Sequence, residues 1–399
     1  MKKPELLAPA GNMNKLETAI RFGADAVYAA AKEYGLRAFA DNFTFDELKR
    51  ATELLHSQGR KLYVTVNTYA DERDLKGLEE FAERLSDTGA DAALVSDLGV
   101  FSIMKKYAPG LQLHVSTQAN VTNSAAAAMW ADLGASRIVL ARETQLKDIP
   151  AIKRGAGVEI EAFVHGAMCI AYSGRCLLSA YFTDRSGNRG ECVQSCRWQY
   201  GITELSRGET LPIEEDKRGT YLLSSKDLCL IEYLHELADA GVDSFKIEGR
   251  IKSEYYVAGV VNAYRRAIDD MAAGRPFDVR LLEEMQKISH RGYTTGFYFG
   301  ERGGSTGEPK PTASYDFIAV VTEGGDGYAE VEMRNRFAAG DTLEVLSPTD
   351  TFGRTFTVTE IENSAHERVL VADKVQERVK LRTGMCLEKY DILRRSCRT

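Results

Sequence analysis

No stretch of this 399-residue chain approaches the roughly 20 consecutive apolar residues that cross a bilayer, so no membrane partner is expected. No secretory leader is expected either. In MKKPELLAPAGN the apolar run after the two lysines is broken by Pro4, Pro9 and Gly11, and it reads as a first strand and turn. An excess of positive charge is also missing. The formal net charge is −7, which excludes a globally basic nucleic-acid coat while leaving room for a local basic face. No GxGxxG follows the first strand, and no HExxH hydrolase signature occurs anywhere. The CxxxCxxC motif of radical S-adenosylmethionine enzymes is absent as well. What remains is a chain with 44% hydrophobic residues, enough to bury one large core and a small one. A cytoplasmic location is expected, where cysteines stay reduced.

Five of the seven cysteines fall between residues 169 and 229, four of them at Cys169, Cys176, Cys192 and Cys196. A large reduced domain has no need of disulfide staples, so thiols this dense point to a metal or cluster site. Only Cys192 and Cys196 have the close spacing of a zinc module. The wider Cys169 to Cys176 gap suits an iron–sulfur cluster, whose ligand spacing varies more. Cys229, in SSKDLC, reads as the opening of a helix and as a substitute ligand or a half-buried thiol. Cys386 and Cys397 lie far away in sequence. His165 and Cys169, four residues apart, would make a nucleophilic pair in a cysteine peptidase, although that leaves the neighbouring cysteines unexplained.

One phrase recurs: a helix-like run, a glycine, a small or acidic residue, then a short apolar strand. It appears as FGADAVYAA, TGADAALVSD, LGASRIVLAR and AGVDSFKIEGR. The glycine suits a left-handed helix C-cap, and the continuously apolar strand suits a parallel sheet buried on both faces. With ELLAPAG, KLYVTVNT, QLHVSTQAN and VEIEAFVHG this makes eight strands, near residues 5, 26, 62, 92, 112, 137, 158 and 244. The expected fold is α/β: a (β/α)8 TIM-like barrel over residues 1–300, with a Cys-rich insertion at about 165–221. A doubly wound open sheet is the alternative. A Gly- and Pro-rich linker follows at 301–313. From 314 to 399, short alternating strands read as a small antiparallel β-barrel. Active sites of β/α barrels gather at strand C-terminal ends, so the insertion should land beside the site.

EAFVHGAMCIAYSGRCLLS (Glu161 to Ser179) closely resembles the signature of the collagenase-like peptidase family. ELLAPAGN, GADAVY, VSTQANVTN, RGECVQSCRWQY, FKIEGRIKS and SHRGYTTGFYFG are similar to that family's other motifs, so the resemblance covers essentially the whole chain. The family carries a peptidase name, but its understood members are oxygen-independent hydroxylases of RNA bases or ubiquinone precursors. In length and in its TTGFYFG ending this chain looks most like the members that make 5-hydroxyuridine at the tRNA wobble position with prephenate as donor. The resemblance implies a 4Fe-4S cluster held by Cys176 and Cys192. Cys169 and Cys196 match ligands in one relative or another, and Cys229 is the substitute. It also implies tRNA as substrate and a paralogous protein as partner.

Prephenate would bring two carboxylates, which call for cations with forked geometry. Candidates at the strand ends are Arg250 and Lys246 on the eighth, Arg142 on the sixth, and Arg175 beside Cys176. Arg250, Glu248, His165 and His114 are, in that order, the candidate catalytic groups, and Gln118 is a candidate substrate contact. Arg185, Arg189, Arg197, Trp198 and Tyr200 are candidate RNA backbone and stacking contacts, with Arg394, Arg395 and Arg398 as a basic grip at the C-terminus. Taken singly, each also reads as an ordinary paired or packed residue. Two other functions stay open: a peptidase, and a zinc-containing RNA-binding module.

Overall fold

The computed structural model describes residues 3–35, 41–169, 171–198, 225–300 and 311–397, and the pairs 203–204, 209–210, 215–216 and 219–220. For those pairs and for Arg197 only the backbone is described. Most of the expected linker therefore lies outside the described residues, as do Tyr200 and Arg398.

Eight parallel strands form the barrel wall: β1 (Glu5–Pro9), β2 (Ala26–Ala29), β3 (Lys61–Val66), β4 (Ala92–Val95), β5 (Gln112–Val115), β6 (Arg137–Val139), β7 (Glu159–Ala167) and β8 (Ser244–Ile247). They pair in chain order, and β8 pairs with both β1 and β7, so the sheet closes. The recurring glycines Gly23, Gly89, Gly134 and Gly241 all have φ between 74° and 104°, a region open to glycine at no steric cost, and each ends a helix.

The acidic residue of the repeat does separate work. Carboxylate oxygens of Asp25, Asp91 and Asp243 accept the backbone N–H of Leu6, Leu62 and Ile160, each at 2.8 Å. Each Asp precedes its own strand and stitches it to the start of a neighbour. At the fourth copy, Ser136 donates instead to the Leu113 carbonyl.

The inner wall is polar at one level. The guanidinium of Arg137 pairs with Glu5, Glu159 and Glu161 at 2.6–3.0 Å. Tyr63 donates to Glu5, and Lys246 pairs with Glu161 at 2.7 Å. Buried charges of this kind persist only when partnered. The apolar core lies mainly between the strands and the surrounding helices.

The segment after β8 forms the long helix Glu254–Ala272 and the helix Arg280–Lys287, and both support the C-terminal unit. In that unit, eight antiparallel strands surround a core of their own. Leu346 and Ile392 of this unit also join the barrel's core. Arg394 is not a surface cation for RNA: it is fully buried and joined to Glu284 of the barrel helix (2.7 Å) and to Glu344. Arg395 is likewise engaged, 2.6 Å from Asp341. A basic C-terminal grip is thus withdrawn for these two residues, because their charges neutralise carboxylates at a packed interface. Among the described residues no helix is long and apolar enough to cross a membrane.

Candidate active site at the barrel mouth

A cavity opens where the strand C-terminal ends meet the cysteine-rich segment. Strand residues Tyr28, Thr65, Leu94, Phe163 and Lys246, with Ser116 just past β5, form its inner wall. Arg142, Glu248 and Arg250, just past β6 and β8, line it too, as does Gln118 past β5. Cys169, Cys176, Cys192 and Cys196 close it from the other side. The two thiols Cys169 and Cys176 interact directly. Donation from Cys169 holds the Cys176 thiol down, and the same contact pushes Cys169 up. A depressed thiol is the form a metal takes as ligand.

The cysteine segment is tied to the barrel at several points. Glu143 accepts from the backbone N–H and the hydroxyl of Ser173, at 2.9 and 3.0 Å. Gly174, in the SGRC motif, has φ +72°, and a Cβ there would meet the Gln118 carbonyl oxygen at 2.1 Å. Only glycine lets the chain pass so close. Asn188 donates to the carbonyl of Cys176 at 3.1 Å. Arg189 is bound to Asp74 through both terminal nitrogens, at 2.5 and 2.8 Å. Arg189 is therefore an anchor of the segment to the loop after β3, not a cation facing RNA.

Among the cations, Arg142 stacks 4.2 Å from the Phe163 ring centroid, donates to the Ala167 carbonyl, and meets Glu248 at 3.3 Å. Lys246 is buried beneath Tyr28 and Phe163, 4.5 and 5.4 Å from their ring centroids. Burial pulls its ammonium down, and Glu161 opposes that shift. Arg250 is buried, with Nη1 3.5 Å from Asn42 Oδ1. The cavity thus gathers three cations with one carboxylate among them, on walls of aromatic and aliphatic carbon.

Four sequence candidates lie elsewhere. His165 was expected to end β7 at the mouth. Phe163 pairs with Lys246 and His165 with Ile247, so Val164 is an extra residue in β7. Such a bulge reverses which face the following residues present. His165 points outside the barrel, where its Nδ1 lies 3.3 Å from the Tyr264 hydroxyl, and burial pulls its pKa down to about 3. It does not line the cavity with Cys169. His114 is sealed below the mouth, edge-on to Tyr63 at 4.8 Å; burial and the nearby Arg137 and Lys246 hold it neutral. Arg175 is exposed and is not part of the cavity lining.

Cys229 does not open a helix. It ends the short strand Asp227–Cys229, antiparallel to β7 and opposite His165. Its thiol faces Tyr264 at 3.9 Å, and burial pushes it up to about 11. That position is behind the barrel wall, away from the other four cysteines.

Several lining residues were not singled out from sequence: Tyr28, Asn67, Ser116, Tyr172 and Asn188. Asn67 and Ser116 follow β3 and β5 directly and bond to each other at 3.2 Å, so the strand-end rule that selected Gln118 would have reached them. Nothing local marks Asn188.

Among the described residues no three His, Cys, Asp or Glu side chains are grouped closely enough to hold a metal ion. The soft donors that share the cavity are four thiols, the ligand type that an iron–sulfur cluster takes.

Residues 11–307 match peptidase family U32, and residues 313–394 match the peptidase family U32 C-terminal domain. The chain is 40% identical over 373 residues to tRNA hydroxylation protein P1 of Bacillus subtilis, covering 92% of this chain and 86% of that protein. It is 36% identical to tRNA hydroxylation protein P of Escherichia coli K12, covering 93% and 92%. It is also 34% identical to the 23S rRNA 5-hydroxycytidine C2501 synthase of Escherichia coli K12, covering 88% of this chain and 53% of that protein.

Proposed function

The chain belongs to peptidase family U32, and on that premise we propose that it is an RNA hydroxylase. Its substrate is a tRNA uridine, prephenate is the hydroxyl donor, and a 4Fe-4S cluster is held by Cys169, Cys176, Cys192 and Cys196. The observation that carries the reading is the convergence of four cysteines and three buried or half-buried cations on one barrel-mouth cavity, in a chain so close along its length to proteins named for tRNA hydroxylation.

Arg142, Arg250 and Lys246 would bind the carboxylates of the donor. Glu248 orients Arg142, and Glu161 keeps Lys246 charged in its buried position. Phe163 and Tyr28 exclude water and pack the donor's ring. Glu248 is the ionisable carboxylate at hand to take or return a proton there. When bound, the cluster supplies redox or Lewis-acid chemistry at the mouth. A target base must leave any stack to reach this depth, which an unpaired loop permits at low cost. A paralogous chain is the protein partner we propose.

A peptidase using Cys169 and His165 gains no support, since His165 is held behind the barrel wall by Tyr264. The decisive experiment is mass spectrometry of tRNA nucleosides from cells lacking the gene. Loss of a hydroxylated uridine, restored by the wild-type chain and not by Cys176→Ala, is expected. An unchanged nucleoside profile would overturn the reading.

A further inference from the structure

The cysteine segment does more than close the cavity. It also carries large apolar side chains on its outer side. The one-turn helix Leu178–Thr183 places Leu178 and Ser179 toward the cavity. Tyr181 and Phe182, on the same turn, are 83% and 46% exposed, and Trp198, which follows the turn Ser195–Arg197, is 42% exposed. The rings form a row. Tyr181 meets Phe182 edge-on at 5.3 Å, and Phe182 meets Trp198 tilted at 6.4 Å. Exposed aromatic groups gathered in one place mark a contact surface more often than chance.

Charge narrows the choice of partner. Residues 169–198 carry Arg175, Arg185, Arg189 and Arg197 against Asp184 and Glu191, a formal +2 within a chain of −7. Arg189 is spent on Asp74, and Arg175 lies exposed on the same segment. Flat rings on a segment of net positive charge are the chemistry that holds single-stranded nucleic acid: bases stack and phosphates pair. The row is also continuous with the cavity, through Leu178 and Ser179 on one side and Cys196 on the other.

We propose that Tyr181, Phe182 and Trp198 form a stacking surface for unpaired nucleobases next to the one that enters the cavity. This rests on the RNA reading above and adds to it the part of the molecule that selects an unpaired strand. The surface explains how an acidic protein can hold RNA at its mouth without a broad basic coat.

The test uses the cluster-loaded full-length chain. Trp130→Phe leaves Trp198 as the one tryptophan of the two in the sequence. A hairpin RNA with an unpaired loop should quench Trp198 emission, and a fully paired duplex of matched composition should not. Tyr181→Ala with Phe182→Ala should weaken binding of the hairpin by about 10-fold or more, with the salt dependence unchanged, because stacking and not charge is lost. Tyr181→Phe should restore it. Iron content equal to wild type shows that the segment remains folded.

Equal quenching by duplex and hairpin, or unaltered affinity in the double variant, would overturn the proposal. So would self-association of the RNA-free protein that the double variant abolishes, since the rings would then serve a second chain. Quenching by the hairpin with no hydroxylated product would leave the surface standing and remove the hydroxylase reading. Hydroxylation by the double variant at an unchanged KM for RNA would do the reverse.

Discussion

The imidazole of His165 and the hydroxyl of Tyr264 lie 3.3 Å apart outside the barrel wall, and the same hydroxyl donates to the Val164 carbonyl at 2.8 Å and accepts from the Leu230 N–H at 3.2 Å. Tyr264 therefore holds the irregular step in β7 that lies just before the cysteine segment. Burial keeps His165 neutral, with its pKa pulled from 6.5 to about 3. Between those values the unfolded chain binds the proton and the folded chain does not, so folding stability falls as pH drops through this window. By pH 4 the loss amounts to about 3 kcal/mol from this residue. Urea unfolding of wild type and His165→Phe between pH 7 and 4 should show a shallower acid decline in the variant. Parallel declines would sink the assignment.

Cysteine replacements should sort by position. Cys192→Ala is expected to lose most of its iron after anaerobic purification, because Cys192 lines the cavity. Cys229→Ala should keep wild-type iron, because its thiol faces Tyr264. Iron per chain, by colorimetric assay and absorbance, decides the matter; equal loss in both would place Cys229 among the ligands.

Gly174→Ala should lower iron content by more than half while shifting the thermal midpoint little. Its new methyl would collide with the Gln118 carbonyl, which lies in the segment's path and not in the barrel core. A variant with full iron would show that the segment adapts without cost.

Arg142→Ala is expected to raise the KM for prephenate by about 10- to 100-fold, the worth of charge-assisted hydrogen bonds to a carboxylate. Glu248→Gln should have a smaller effect on KM, since it orients Arg142 and leaves the guanidinium in place. An unchanged KM in Arg142→Ala would move the donor to other residues.

Arg394→Met should destabilise the chain by about 3–5 kcal/mol, since it strands Glu284 and Glu344 without their buried partner. Denaturant unfolding measures this. The salt dependence of RNA binding should not change, and a reduced slope would return Arg394 to the RNA-contacting role.

The barrel was legible because its repeat is chemical as well as hydrophobic. A glycine at a helix end followed by an acid before an apolar run recurs in FGADAVY and TGADAALV, and the same device is seen at the backbone level. The cation set past β6 and β8 followed from the rule that barrels work at strand ends. His165 did not follow, because strict alternation along β7 predicts an inward imidazole and one extra residue, Val164, turns it outward. Cys229 escaped because SSKDLC pairs with β7 in a strand, a long-range event with no local signature. Arg189 and Arg394 were read as surface cations because their acids, Asp74, Glu284 and Glu344, are remote in sequence.

The aspartate stitches at Asp25, Asp91 and Asp243 sit at the N-terminal rim, opposite the cysteines. Three neighbouring pairs of wall strands are thus tied at the end opposite the candidate site. The opposite rim is left at liberty to exchange loops, lengthen its cap or accept a different base without loosening the barrel, so substrate preference and foldability can change on separate schedules.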